Sequence, residues 1–324
     1  MNNQEERLKA GKRVVTITLT PAVDMFVQVE KLMPGTLHRI PKPEKFVGGK
    51  GINVAKALQA FGTPVVATGF LGGANGRWIE SQLQHLGIDA RFVSTATETR
   101  LNVKVVDSEG VLTEFNSSTT LPSPGEWTEF ETRLAALAGE SEWFAFCGKL
   151  PEGCPAHWYQ EAIAKAKELG LKTLLDSSGA ALRHGILAKP DVIKPNLHEL
   201  EELTGLELSS VEKVVSVAQE VVADGVGMVL VSMGASGMVV VTQDATWEVR
   251  VPKVEVVSSV GAGDTVVAGI LHGLCTGKSM KETIRFAAAA ATAAVTTAGT
   301  KRPELADVLH FEAAIQVVER RANR

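Results

Sequence analysis

The chain is poor in cysteine, histidine and aromatic rings, and no apolar run in it is long. Three cysteines occur among 324 residues, at Cys147, Cys154 and Cys275. Their number is odd and their spacing irregular, which excludes a disulfide framework and a zinc cluster. Reduced thiols fit a cytoplasmic protein. The seven histidines are scattered; they form neither a metal pattern nor a Ser/His/Asp nucleophile arrangement. Cationic residues are not in excess: 33 Lys and Arg face 37 Asp and Glu, for a net charge of -4. That excludes a broad nucleic-acid surface but leaves room for small cationic pockets. The Ala-rich run Ala287 to Ala294 is too short to cross a membrane and reads as a closely packed helix. No membrane or nucleic-acid partner is expected. Met1 to Arg13 is polar and charged, without an apolar signal core, and is expected to be a flexible tail.

Hydrophobic residues make up 45% of the chain, enough for a sizeable core. Strand-like apolar runs (Val14 to Leu19, Val65 to Phe70, Trp143 to Cys147, Thr173 to Asp176, Val192 to Lys194, Met228 to Ser232) alternate with helical stretches such as Asn53 to Phe61, Ala156 to Leu169 and Val211 to Ala223. Continuous apolar strands between helices indicate an α/β fold with a mainly parallel central sheet covered on both faces. Ligands of such sheets bind beyond the carboxyl ends of the strands. With no linker or repeat visible, residues 14–324 are expected to form a single domain.

Two segments break this rhythm. Asp24 to Val29 and Leu101 to Val106 alternate polar and apolar residues, the latter passing through the turn Asp107-Ser108-Glu109-Gly110 into Val111 to Phe115. They read as half-exposed antiparallel strands, with lid segments at about 23–41 and 98–120. Three roles stand open for them: an active-site lid, a homodimer surface, or an ordinary edge hairpin.

Ser258-Ser259-Val260-Gly261-Ala262-Gly263-Asp264-Thr265 leads into a helix-compatible run. Gly261 and Gly263 let the backbone approach a ligand, and the first amides of a helix have no partners of their own. They can bind an anion, with Asp264 as a carboxylate beside it. An anion hole plus a base is what phosphoryl transfer to a hydroxyl requires. The alternative is a Gly-rich helix cap.

Other clusters carry similar pairs of readings. In Gly48-Gly49-Lys50-Gly51-Ile52-Asn53 the glycines would let backbone lie against a sugar, with Lys50 and Asn53 as donors; Arg39 and Arg100 add cations for a sugar phosphate, or are solvated surface groups. In Lys194-Pro195-Asn196-Leu197-His198-Glu199, Asn196 and Glu199 either face a hydrated Mg2+ or form a capping box. Ser232-Met233-Gly234-Ala235-Ser236-Gly237 suits nucleotide phosphate or ribose, or is a plain strand–turn–strand. Gly273 to Ser279 nearly matches a phosphate-binding P-loop but is one residue short and follows a helix.

Together the clusters resemble the ribokinase-like, or PfkB, family of carbohydrate kinases over about Val14 to Thr300. One signature begins at Gly48-Gly49-Lys50-Gly51-Ile52-Asn53 and runs through Gly62 to Gly72; the other runs from Ser258 through Gly261-Ala262-Gly263-Asp264 to Leu271. Thr18 to Asp24, Gly35-Thr36-Leu37-His38-Arg39, Thr99-Arg100, Asp176-Ser177-Ser178-Gly179 and Lys194 to Leu200 look like its phosphosugar branch, that of the 1-phosphofructokinases and tagatose-6-phosphate kinases. The resemblance implies a three-layer fold with a small β-sheet lid, and ATP, Mg2+ and a ketohexose phosphate as ligands. It implies Asp264 as base and the Gly261, Ala262 and Gly263 amides as anion hole. Asp24, Arg39, Gly48, Gly49, Lys50, Asn53 and Arg100 would serve the sugar phosphate; Lys194, Asn196, Ser232, Gly234, Ala235 and Gly237 the nucleotide; Glu199 a metal through water. Thr20 and His38 stand where the branch usually has Asn, and Lys149 where Ser is usual. Lys149 either adds a cation to the phosphate pocket or points to solvent. The leading expectation is phosphorylation of fructose 1-phosphate. Tagatose 6-phosphate or fructose 6-phosphate is the alternative acceptor, and a non-catalytic sugar-phosphate sensor the alternative of another class.

Overall fold

A computed structural model describes residues 13–297, 301 and 303–320. The expected tail, apart from Arg13, lies outside them. An eleven-stranded sheet forms the centre. Its path runs Asp89–Ala90, Val65–Gly72, Val14–Thr18, Trp143–Cys147, Lys172–Asp176, Val192–Ile193, Met228–Ser232, Met238–Thr242, Thr246–Arg250, Gln316–Arg320, with Val93–Thr95 pairing off Val65–Gly72. Pairing is parallel as far as Met228–Ser232 and antiparallel beyond it.

The strands are apolar at successive positions because both faces are covered. Val14 belongs to one core and its neighbour Val15 to the other, and both are fully buried. Lys50–Ala60, Gly73–His85, Ala262–Thr276, Met280–Val295 and Leu305–Glu312 pack on the first face. Pro124–Ala138, Trp158–Glu168, Gly179–Gly185, Leu197–Thr204 and Val211–Ala223 pack on the second. Because the strands are parallel, Thr18, Cys147, Asp176, Ile193 and Ser232 all end on one edge of the sheet.

Two close approaches fix the helices at that edge. A Cβ on Gly51 would stand 2.4 Å from Thr18 Oγ1, so the Lys50–Ala60 helix lies directly on the end of Val14–Thr18. A Cβ on Gly269 would stand 2.5 Å from Ala287 Cα. The Ala-rich run, as expected, lets Met280–Val295 pack tightly against Ala262–Thr276 and hold its N-terminus in place.

The alternating segments build a separate four-stranded sheet in the order Glu44–Gly48, Ala22–Gln28, Arg100–Val106, Leu112–Asn116. Its outer pairings are antiparallel, but the central pair, Ala22–Gln28 with Arg100–Val106, is parallel. The all-antiparallel expectation is corrected here: these two strands are distant in sequence, and only Arg100–Val106 and Leu112–Asn116 join by a short turn. Glu44–Gly48 is an unexpected strand, only its last residue belonging to the Gly cluster; its start, Glu44 and Lys45, is charged and exposed. The near-P-loop resolves into helix punctuation, with Gly277 ending one helix in the left-handed region at φ 73° and Ser279 capping the next.

Candidate active site

The Ala262–Thr276 helix begins without a side-chain cap. Gly261 is its N-cap, at φ 83°, a conformation that glycine adopts without strain. Ser123, Asn196 and Ser279 cap other helices with complete capping boxes. Ala262 N donates weakly to Ser259 O at 3.4 Å, and the Gly263 and Asp264 amides are left to a ligand, at the positive end of the helix dipole. A Cβ on Gly263 would stand 3.4 Å from Lys194 Nζ, which brings a buried ammonium to the same spot.

Asp264 follows these amides and is only 6% exposed. Asn53 Nδ2 donates to its Oδ2 at 2.8 Å. Burial, then the nearby charge of Asp176, pushes its pKa up to about 6, against the opposing pull of Lys50, Asn53 and Lys194. A carboxylate so placed is ionised at neutral pH, yet accepts a proton more readily than an exposed one.

Asp176 goes the other way. Burial would raise its pKa, but the ammonium groups of Lys194 and Lys50 hold it below the usual range. Its Oδ1 accepts from Lys50 Nζ at 3.0 Å and lies 3.4 Å from Lys194 Nζ, while Oδ2 is buried without a partner. Burial would lower the Lys50 pKa; the charges of Asp176, Asp264 and Glu199 outweigh it and raise the value. Two neighbouring carboxylates therefore differ, one a proton acceptor and the other a fixed charge that orients two lysines.

The small sheet supplies a polar wall. Arg100, Asn102 and Lys104 alternate along one strand and so share a face. Asn102 Nδ2 donates to Asp24 Oδ1 at 2.9 Å, and Lys104 Nζ lies 3.4 Å from Asp24 Oδ2 and 3.3 Å from Glu114 Oε1. A Cβ on Gly48 would meet Asp24 Oδ2 at 2.6 Å, so only glycine leaves room for that carboxylate. The Arg100 guanidinium donates to the carbonyls of Pro21, Thr20 and Ser117. Burial lowers its pKa despite Asp24. It is a pinned cation held by carbonyl oxygens, with donors left for an incoming anion.

These groups line one cavity of about 970 Å3. Val251, Val254, Ala288, Ala291 and Val295 give part of it an apolar wall beside the Gly234–Ser236 turn. That turn joins two antiparallel strands, and Ser232, Gly234, Ala235 and Gly237 line the cavity. Asp24, Gly49, Lys50, Asn53, Arg100, Lys149, Lys194, Asn196 and Gly261 to Asp264 also line it.

Three expected residues do not line the cavity: Gly48, which packs behind the Asp24 carboxylate, Arg39 and Glu199. Arg39 is exposed in the loop between Ala22–Gln28 and Glu44–Gly48 and does not line the cavity; no strand pairing folds that loop inward. Glu199 completes a capping box, its Oε2 accepting from Asn196 N at 2.8 Å, while Oε1 sits 3.9 Å from Lys50 Nζ. Among the described residues no three acidic, His or Cys side chains converge as metal ligands. Lys149 is exposed at the cavity rim. Asn102, Lys104 and Glu114 were missed as site residues. The signal was the period of two in their strands, which left a lid, a dimer surface and an edge hairpin equally open.

A model of the pfkB family carbohydrate kinases matches residues 12–307. The chain belongs to this family. Among its relatives is the 1-phosphofructokinase of Haemophilus influenzae, 35% identical over 309 residues, covering 94% of this chain and 99% of that one. The tagatose-6-phosphate kinase of Staphylococcus epidermidis is 33% identical over 277 residues, covering 85% of this chain and 89% of its own. Among solved structures, phosphofructokinase-2 of Escherichia coli in complex with substrates and products aligns with a TM-score of 0.87 at 30% identity, over 93% of this chain and 99% of that one. The ribokinase-like fold and both family signatures are thus those of a pfkB kinase. No helix among the described residues is long and apolar enough to cross a membrane.

Proposed function

We propose that the chain transfers the γ-phosphoryl group of ATP to a hydroxyl of a ketohexose phosphate, with fructose 1-phosphate, accepting at its 6-hydroxyl, as the leading acceptor. The observation that carries this is the uncapped Gly261 N-terminus with buried Asp264 beside it. Asp264 accepts the proton of the attacking hydroxyl. The Ala262, Gly263 and Asp264 amides, with Lys194, stabilise charge on the phosphoryl group in flight; removing one such donor typically costs about 10²–10³-fold in rate. Asp24 and Asn102 orient sugar hydroxyls, and Arg100 with Lys104 or Lys149 binds the phosphate already present. The apolar wall at Val251, Ala288 and Val295 takes the nucleotide base.

The donor set fits Mg2+ only in one form. Glu199 offers a single carboxylate oxygen beyond its cap, which suits a hydrated ion carried mainly by nucleotide phosphates. When bound, the ion would offset phosphate charge. The outer face of the small sheet carries Met25, Val103 and half-exposed Phe115, which suits a second copy of the chain.

Measuring ADP release with fructose 1-phosphate, tagatose 6-phosphate and fructose 6-phosphate tests this reading. The highest kcat/KM is expected with fructose 1-phosphate. Preference for tagatose 6-phosphate, which the second relative favours, moves the acceptor hydroxyl but keeps the chemistry. Sugar binding without turnover on any of them rejects it in favour of a sensor.

A further inference from the structure

Arg100, Lys104 and Lys149 all line the cavity, but they differ in what already holds them. Lys104 Nζ stands 3.4 Å from Asp24 Oδ2 and 3.3 Å from Glu114 Oε1, and 5.4 Å from the centre of the Phe26 ring. One buried ammonium thus faces two carboxylates that already offset its charge, and an anion approaching it meets both of them. Lys149 is the opposite case. It is exposed, and among the described residues its ammonium has no ion-pair partner. Its main chain is nevertheless fixed. It follows Gly148, at φ 95°, where the chain leaves the Trp143–Cys147 strand. Gly148 N donates to Asp176 O at 2.8 Å, and Gly148 O accepts from Tyr159 Oη at 3.1 Å and Ser177 Oγ at 2.9 Å. Lys149 O accepts from Thr20 Oγ1 at 3.2 Å. Thr20 O in turn accepts from Arg100 Nη2 at 3.0 Å. One buried residue therefore joins the two cations, by its hydroxyl to one and its carbonyl to the other. The same two segments meet again further out, where Glu152 N donates to Thr119 O at 3.0 Å and Arg100 Nη1 to Ser117 O at 3.1 Å. A lysine on a loose loop would lose binding energy to ordering its backbone; at Lys149 only the side chain remains to be ordered.

We infer that Arg100 and Lys149, joined through Thr20, clamp the phosphate ester that the acceptor already carries, and that Lys149 sets the preference for a phosphorylated over a free ketohexose. This rests on the sugar-phosphate reading above. Three of the five Arg100 donors are taken by carbonyls, which leaves two for an anion. A phosphate has oxygens enough to accept from these and from an ammonium at once. Lys104 is left to hold Asp24, which meets sugar hydroxyls whether or not the sugar carries a phosphate.

Binding of fructose and of fructose 1-phosphate to the full chain, without nucleotide, is read by ligand-observed NMR titration. The ratio of the two Kd values measures what the phosphate adds. Lys149→Met is expected to lower that ratio about tenfold, the scale of one charge-assisted contact, and Lys149→Arg to keep it within about threefold of the parent. Thr20→Val, which releases the Lys149 carbonyl, is expected to lower it about threefold, and Thr20→Ser to restore it. Lys104→Met is expected to weaken both sugars alike and leave the ratio where it was. Salt gives a second readout: fructose 1-phosphate binding should weaken with ionic strength in the parent, and less steeply in Lys149→Met. A folded Lys149→Met with the parent ratio overturns the inference, and so does a ratio that falls in Lys104→Met instead. Equal affinity of the parent for the two sugars overturns it as well. Binding needs no turnover, so a parent that takes up fructose 1-phosphate without transferring phosphate rejects the proposed function while the clamp is still measured.

Discussion

Two neighbouring helices begin in opposite ways. Met280–Val295 starts at Ser279 with a complete capping box, Ser279 N donating to Glu282 Oε2 at 2.9 Å and Glu282 N to Ser279 Oγ at 3.3 Å. Ala262–Thr276, packed along it, starts at bare Gly261 and places a buried carboxylate in its first turn. A free carboxylate and free amides at a helix start normally satisfy each other or water. Here Asp264 is engaged by Asn53 from another helix. The closed start serves stability; the open one forgoes that stability to keep donors and an acceptor available for a ligand.

Asp264→Asn should have the largest effect. Its kcat is expected to fall by about 10²–10⁴-fold, with nucleotide affinity retained, as steady-state kinetics and calorimetry would read. Its stability should move the other way. A folded-state pKa raised from 3.8 to about 6 means that Asp264 contributes stability fully below pH 3.8 and loses it as pH rises through about 6. The variant is therefore expected to melt above the parent at pH 8, and that advantage should vanish at pH 4. A lower melting temperature at pH 8 would show that the open helix start carries no such strain.

Arg100→Ala removes a charged donor from the acceptor wall, worth about 1.5–3 kcal/mol. The sugar-phosphate KM should rise by about 10–100-fold with kcat little changed. An unchanged KM would reassign Arg100 to holding the Pro21, Thr20 and Ser117 carbonyls alone. Gly261→Ala forces a side chain into the left-handed region, at about 1–2 kcal/mol. A tenfold drop in kcat is expected as the amides turn, and normal turnover would mean that their direction is not used. Ser279→Ala should have the smallest effect on catalysis. Denaturant titration should show a loss of about 1 kcal/mol, with kcat within a factor of two. A large fall in kcat there would erase the contrast between the two helix starts.

Much of this was legible in the sequence because the signals were local. Val14 and Val15 announce a strand buried on both faces, and Gly261 to Asp264 announces an open helix start before any coordinates. Glu199 was ambiguous for a physical reason: a residue at the third helical position caps by geometry, whatever else it does, and the cap formed. Asn102, Lys104 and Glu114 were hidden because alternation marks two faces without saying whether the polar one meets water or a cavity. Arg39 stays outside the cavity because its loop has no partner strand to carry it there.

A crystal structure with a non-hydrolysable ATP analogue tests the central claim most directly. The account predicts the terminal phosphate within hydrogen-bonding reach of the Ala262, Gly263 and Asp264 amides, with the Asp264 carboxylate facing the space where the acceptor hydroxyl would lie. A nucleotide whose terminal phosphate rests elsewhere, with Asp264 still closed on Asn53 and turned from it, would contradict the account.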